Sequence, residues 1–115
     1  MQSRPFEGYD ALIERAERAA ANVVAADAAS AHRVVVLARE LQARPRNEGL
    51  VIPTADDSVV RRELNRHFEL LGRRGARALP LAALARALLA DLSGTRRELD
   101  EALSDCEKKL SMFGL

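Results

Sequence analysis

The chain has 115 residues, of which 48% are hydrophobic and 30% charged, and 18 basic against 17 acidic residues leave a net charge of +1. That is one globular domain's worth of sequence, 1–115, with a single core, and it excludes a disordered chain. The near-zero charge gives no electrostatic footprint for nucleic acid or a membrane surface, and the lone Cys106 excludes an intramolecular disulfide.

From Tyr9 to Leu41 the chain runs for 33 residues without proline or glycine and is rich in alanine. Propensity and the absence of breakers predict one long helix, roughly 45–50 Å at the α-helical rise. Such a helix would be the spine of the fold. Ser3 or Asp10 could cap it, with Pro5 in the first turn. At 100° per residue Leu12, Ile13, Ala16, Val23, Val34, Leu37 and Leu41 share one face. Glu14, Arg18, Asn22, His32, Arg39 and Glu40 fall opposite.

Arg44-Pro45 ends this helix, because the residue before proline is pushed out of the α region. Asn47 to Pro53 reads as a loop that holds Leu50, Val51 and Ile52 between two breakers. Thr54 and Asp57 have capping-box spacing and predict a second helix from about Ala55 to Arg74. Its stripe is Val60, Leu64, Phe68 and Leu71, and its end carries Arg73, Arg74 and Arg77 around Gly75. A third helix, Leu81 to Leu92, presents Leu84, Leu88 and Leu92. Thr95 and Glu98 form a better capping box for a fourth, unless Ser93-Gly94 is only a kink. Leu99, Leu103, Cys106, Leu110 and Phe113 then alternate at four and three residues, as a helix-packing seam does.

Few residues are equipped for chemistry. His32, His67 and Cys106 are the sole soft ligands or nucleophiles, and none lies at metal-ligand spacing. A Cys106–His67 pair across two helices is the one nucleophilic arrangement conceivable, and a seam cysteine beside a boundary histidine is the plainer reading. No phosphate loop, nucleophile elbow or dinucleotide fingerprint occurs, so neither a catalytic residue, a cofactor nor a metal is expected. Asp27 falls amid the apolar face of the first helix. A buried carboxylate there calls for an arginine partner, with Arg61, Arg62, Arg96 and Arg97 as candidates. The Arg73–Arg74–Arg77 cluster could grip phosphate or an acidic partner, or be a solvated helix end.

Residues 81–110 read as helix, turn, helix, and about 30 of the 115 residues faintly resemble a winged-helix or helix-turn-helix regulator. The resemblance implies DNA binding, with Arg96 and Arg97 opening the recognition helix. Against it, Asp100, Glu101, Asp105 and Glu107 continue that exposed face, and no basic wing follows.

The sequence therefore predicts an all-α, up-down helical bundle: a long N-terminal helix with two or three shorter ones. More apolar face is on offer than so short a chain needs. The expected function is a non-enzymatic protein-interaction module (adaptor, inhibitor or secretion-type chaperone), with homodimerisation. Leu50, Val51, Ile52, Arg73, Arg74, Leu99, Leu103, Leu110 and Phe113 are the expected partner-binding residues. With no signal core in residues 1–6 and no run of 18 apolar residues, a soluble cytoplasmic protein without membrane contact is expected, nucleic acid being the lesser partner.

Overall fold

The computed structural model describes residues 7–115, so the Ser3 and Pro5 assignments lie outside the described residues. The all-α expectation is met. The described residues form five helices packed against each other: α1 (Glu7–Ala20), α2 (Ala25–Gln42), α3 (Asp57–Gly72), α4 (Leu79–Ser93) and α5 (Arg96–Met112). A 3-10 turn, Ala76–Ala78, precedes α4, and a two-stranded hairpin, β1 (Arg46–Asn47) and β2 (Leu50–Val51), lies between α2 and α3.

The single long helix is corrected to two. Between α1 and α2 the chain leaves the helical path, and Val24 is extended with ψ of 155°. Three local causes act there without proline or glycine. The Asn22 side chain donates to the Arg18 carbonyl and competes with the backbone for that acceptor. Val23 and Val24 are β-branched and weak helix formers. Asp27 then sits in the first turn of α2, where a carboxylate favours a new N-terminus.

The spine is α4 instead. It packs on all four other helices and on β2. Leu81, Ala82, Ala83, Leu84, Ala85, Ala87, Leu88 and Leu92 are all buried, while Arg86 alone of its middle residues is exposed. A helix apolar on nearly every side belongs at the centre of a bundle. Each fully buried leucine contributes about 1.5–3 kcal/mol relative to an exposed one.

Side-chain pairs along α2 and α3 show that the two run antiparallel: Asp27 meets Arg74, Ser30 meets His67, Arg33 meets Glu63 and Arg44 meets Asp57. The start of α4 likewise meets the second half of α5, where the Cys106 thiol lies 3.4 Å from the Pro80 carbonyl. Near the turn, Ala87 packs with Leu99 and Ala102. Thus α4 and α5 form an antiparallel αα-hairpin along most of their length.

The capping signals are read with mixed success. Thr95 and Glu98 form the full reciprocal box at the start of α5. At α3 only half a box forms: Asp57 accepts from the Thr54 N–H, but the Thr54 hydroxyl donates to the carboxylate rather than capping the backbone. The far end of α5 closes on Gly114 at φ +73°, with Leu115 N–H bonding to Leu110 O and Gly114 N–H to Ser111 O. This is a Schellman closure, and it folds Leu115 back onto the core.

Residues 47–53 are corrected from a loop to a hairpin plus its exit. Arg46 pairs with Val51 and Asn47 with Leu50, leaving Glu48 and Gly49 as a two-residue turn with φ of +54° and +86°. Positive φ at both positions is the I′ geometry that suits strand twist. A Cβ at position 49 would also lie 2.6 Å from Arg96 Cδ, so the Arg96 side chain would have to shift to admit one. Glu48 has no such licence, because a side chain in the left-handed region is strained. Glu48→Asn is accordingly expected to stabilise the protein by about 0.5–1 kcal/mol, read as a higher urea midpoint with unchanged slope. An unchanged or lower midpoint would mean that the Glu48 side chain makes a compensating contact.

Candidate functional site

The hairpin is held to the bundle by one buried ion pair. Arg46 leaves β1 and reaches Asp91 near the end of α4 with both terminal nitrogens, at 2.7 and 3.0 Å. Its second nitrogen also bonds to the Leu41 carbonyl at 3.1 Å, closing the exposed end of α2. The guanidinium carbon stands 5.6 Å from the centre of the Tyr9 ring. Asp91 in turn accepts the Val51 N–H at 3.0 Å, so a single carboxylate holds both strands. The Asp91 side chain is fully buried, while that of Arg46 is 15% exposed. Burial raises the Tyr9 phenol far above its usual range, reinforced by the Asp91 charge and opposed by Arg46.

This anchoring shapes an open cleft of about 520 Å³ between β2 and the last turn of α4. Leu50, Val51, Ile52 and Pro53 form one wall and Leu92, Ser93 and Gly94 the other, with the Arg46–Asp91 pair beneath. Val51 is buried, Leu50 half-buried, and Ile52 is 45% exposed at the rim. The cleft combines an apolar wall with a fixed polar floor. The Ser93 hydroxyl on its far wall donates to the Leu89 carbonyl at 3.1 Å.

A second polar network links α2 to α3. The Ser30 hydroxyl lies 2.6 Å from His67 Nδ1, while His67 Nε2 is 3.3 Å from Glu63 Oε2. Arg33 holds the same carboxylate through Nε and Nη2, at 2.6 and 3.1 Å. The arrangement is satisfied when Nε2 carries the proton and Nδ1 accepts from the serine. It resembles a serine triad on paper. Yet Ser30 and His67 are both buried, and neither lines the hairpin cleft. The geometry locks two helices together. His67 and Cys106 are held apart in their own contacts, the thiol facing the Pro80 carbonyl with its pKa pushed up to about 12 by burial.

The same face sets an acid response. The Arg33 bond to Glu63 and the Arg44 bond to Asp57 are the largest causes holding both carboxyls down to about 2, against ordinary values of 4.5 and 3.8. A folded pKa below the unfolded one means stability that is complete above about pH 4.5 and is lost as pH falls toward 2. Thermal midpoints are therefore expected to hold down to the mid-4 region and then drop. In the Glu63→Gln, Asp57→Asn double variant that slope should flatten, from a lower plateau at neutral pH. Parallel curves for parent and variant would place the acid sensitivity elsewhere.

The other expected partner-binding residues divide sharply. Leu99 and Leu110 are fully buried within the chain itself and so present no surface. Leu103 is half-buried in a groove of about 310 Å³ shared with Tyr9, Leu12 and Arg15. Arg73 is exposed near Glu69, at 4.0 Å. Arg74 is the partner of Asp27, at 2.9 Å, which settles the carboxylate's need by an arginine other than the four expected. That nitrogen does not aim an N–H at the oxygen, so the contact is an ion pair rather than a hydrogen bond. Arg96 and Arg97 lie beside Asp100 and Glu101 one turn on, at 3.8 and 3.3 Å.

Residue patterns do not single out Tyr9, Arg46 or Asp91. One signal is available: Asp91 is a lone carboxylate in the otherwise apolar run from Ala87 to Leu92. Among the described residues no group of three or more His, Cys, Asp or Glu is placed to hold a metal ion. Nor is any helix among them long and apolar enough to cross a membrane. Comparison with protein-family models, with curated proteins and with solved structures found no match.

Proposed function

We propose that the chain is a non-enzymatic protein-interaction module whose hairpin cleft receives an apolar side chain from a partner protein. The observation that carries this reading is Ile52, 45% exposed on a hairpin that a buried ion pair makes rigid. An exposed apolar group on a fixed support binds with little ordering cost, which is what a recognition surface requires. Strain at Glu48, beside the cleft, agrees with a backbone shaped for a purpose other than stability. Adaptor, inhibitor and secretion-type chaperone are the forms such a module takes.

A photo-crosslinking residue placed at Ile52 in the native host tests the proposal, with the same residue at exposed Glu14 as control. Position 52 should capture a discrete protein that position 14 does not, and purified Ile52→Asp should lose at least about tenfold affinity for that protein. Equal capture at both positions, or retained affinity, sinks the reading.

Self-association is a lesser part of this proposal. Leu99 and Leu110 are spent in the chain's own core, which leaves Leu103 and Phe113 of the C-terminal stripe. Light scattering that gives a monomer at high micromolar concentration removes it. The regulator reading draws on the α4–turn–α5 pair, but a recognition helix crosses its neighbour steeply rather than lying antiparallel along it. Sub-micromolar binding to random duplex, steepening as salt is lowered, would reverse this order.

A further inference from the structure

We propose a second docking surface, separate from the hairpin cleft, that takes an acidic segment of a partner protein bearing one apolar side chain. It lies where the end of α1, the 3-10 turn and the closure of α5 meet. A pocket of about 250 Å³ opens there, lined by Ala19, Asn22, Arg77, Phe113 and Leu115. Its size suits one leucine or phenylalanine side chain.

The charge around it is lopsided in a chain whose net charge is only +1. Residues 73–77 hold three arginines in five positions and no acid. Arg77 is exposed at the pocket, and the Arg73 side chain is 81% exposed. Arg74 is taken up by the buried Asp27, at 2.9 Å, which leaves Arg73 and Arg77. Glu69 approaches Arg73 only at the 4.0 Å limit of an ion pair. The surplus is therefore open to carboxylates, which guanidinium forks match in pairs.

The apolar side is built rather than incidental. Arg15 donates to the Leu115 carbonyl at 2.7 Å and to Ser111 Oγ at 3.0 Å, fixing the turn that carries Phe113 and Leu115. A half-open apolar pocket edged by Arg77 favours a peptide over the alternatives. A duplex has no apolar side chain to fill it, and a bilayer is entered by protruding groups.

The test uses the full chain and a fluorescein-labelled peptide in which aspartates and glutamates flank one central leucine. Two control peptides replace the leucine by alanine or the acids by lysines. Amide chemical shifts report the site. The leucine peptide should bind, should weaken several-fold as salt is raised about tenfold, and should shift Asn22, Arg73, Arg77 and Phe113 but not Leu50 or Ile52. Arg73→Glu with Arg77→Glu should cut affinity by about tenfold or more without lowering the melting temperature. Equal binding of the alanine peptide would overturn the pocket. Absence of binding, or tighter binding of duplex or phosphatidylserine vesicles by the same arginines, would overturn the acidic-segment proposal. Shifts confined to Leu50 and Ile52 would overturn it as well, while leaving the hairpin cleft supported.

Discussion

Asp91→Ala is expected to cost about 3–5 kcal/mol, the cost of breaking a buried, hydrogen-bonded ion pair. The carboxylate holds Arg46 by two bonds and the Val51 N–H by a third, and its side chain is shut off from solvent. Removing it takes from the Arg46 guanidinium the carboxylate that holds it by two bonds, and from the Val51 N–H its acceptor. Against a total stability of about 5–15 kcal/mol, such a loss brings a small domain close to its threshold. Replacing both partners by apolar residues, Arg46→Met with Asp91→Leu, should cost less than Asp91→Ala alone, because both members of the pair are then removed together. Urea denaturation followed by circular dichroism decides the order. If Asp91→Ala lies within about 1 kcal/mol of the parent, the pair is not the clamp described, and Ile52 loses its fixed support.

The helical class, the seam of α5 and the Thr95 box are legible because each depends on residues close in sequence. Periodicity and capping are local, and local signals survive without knowledge of the fold. The break at residues 21–24 is legible only in part. Absence of proline and glycine argues for continuity, whereas Asn22, two adjacent valines and an aspartate placed to start a helix argue against it, and the second set wins. The hairpin is harder. Its turn places glutamate where asparagine or aspartate would be the usual sign, and its strands are two residues each.

The clamp is least legible of all. Arg46 and Asp91 are 45 residues apart, and only the packing of α2 against α4 brings them together. Asp27 reads correctly as a buried carboxylate in need of an arginine, because it interrupts an apolar face. Asp91 interrupts α4 in the same way, so the same argument applied to it finds half of the clamp. The identity of the arginine follows in neither case. Arg74 lies just past the end of α3, and its reach to Asp27 depends on how far α3 slides along α2. That offset is a tertiary quantity that no single helix encodes.

Leu110→Asp should unfold the protein, while Leu103→Asp should leave it folded at a cost of about 1–2 kcal/mol. The two leucines share one stripe, seven residues apart, and sequence alone treats them as equivalent. Their surroundings differ. Leu110 has no exposed surface and packs in the main core, so a carboxylate there is cut off from water. Leu103 borders the groove between α1 and α5, where a carboxylate can turn toward solvent and toward Arg15 on the opposite wall. The penalty at residue 110 is several kcal/mol, comparable with the whole stability of a small domain. Circular dichroism and melting curves separate the outcomes: a chain without helical signal at about 25 °C for Leu110→Asp, and a cooperative but lower transition for Leu103→Asp. Equal destabilisation would mean that the α1–α5 groove is closed in solution, by a second copy or by tighter packing of α1. A reversed order would mean that α5 is rotated about its axis, which would also carry Phe113 away from the pocket beside Arg77 and remove the apolar half of the second docking surface.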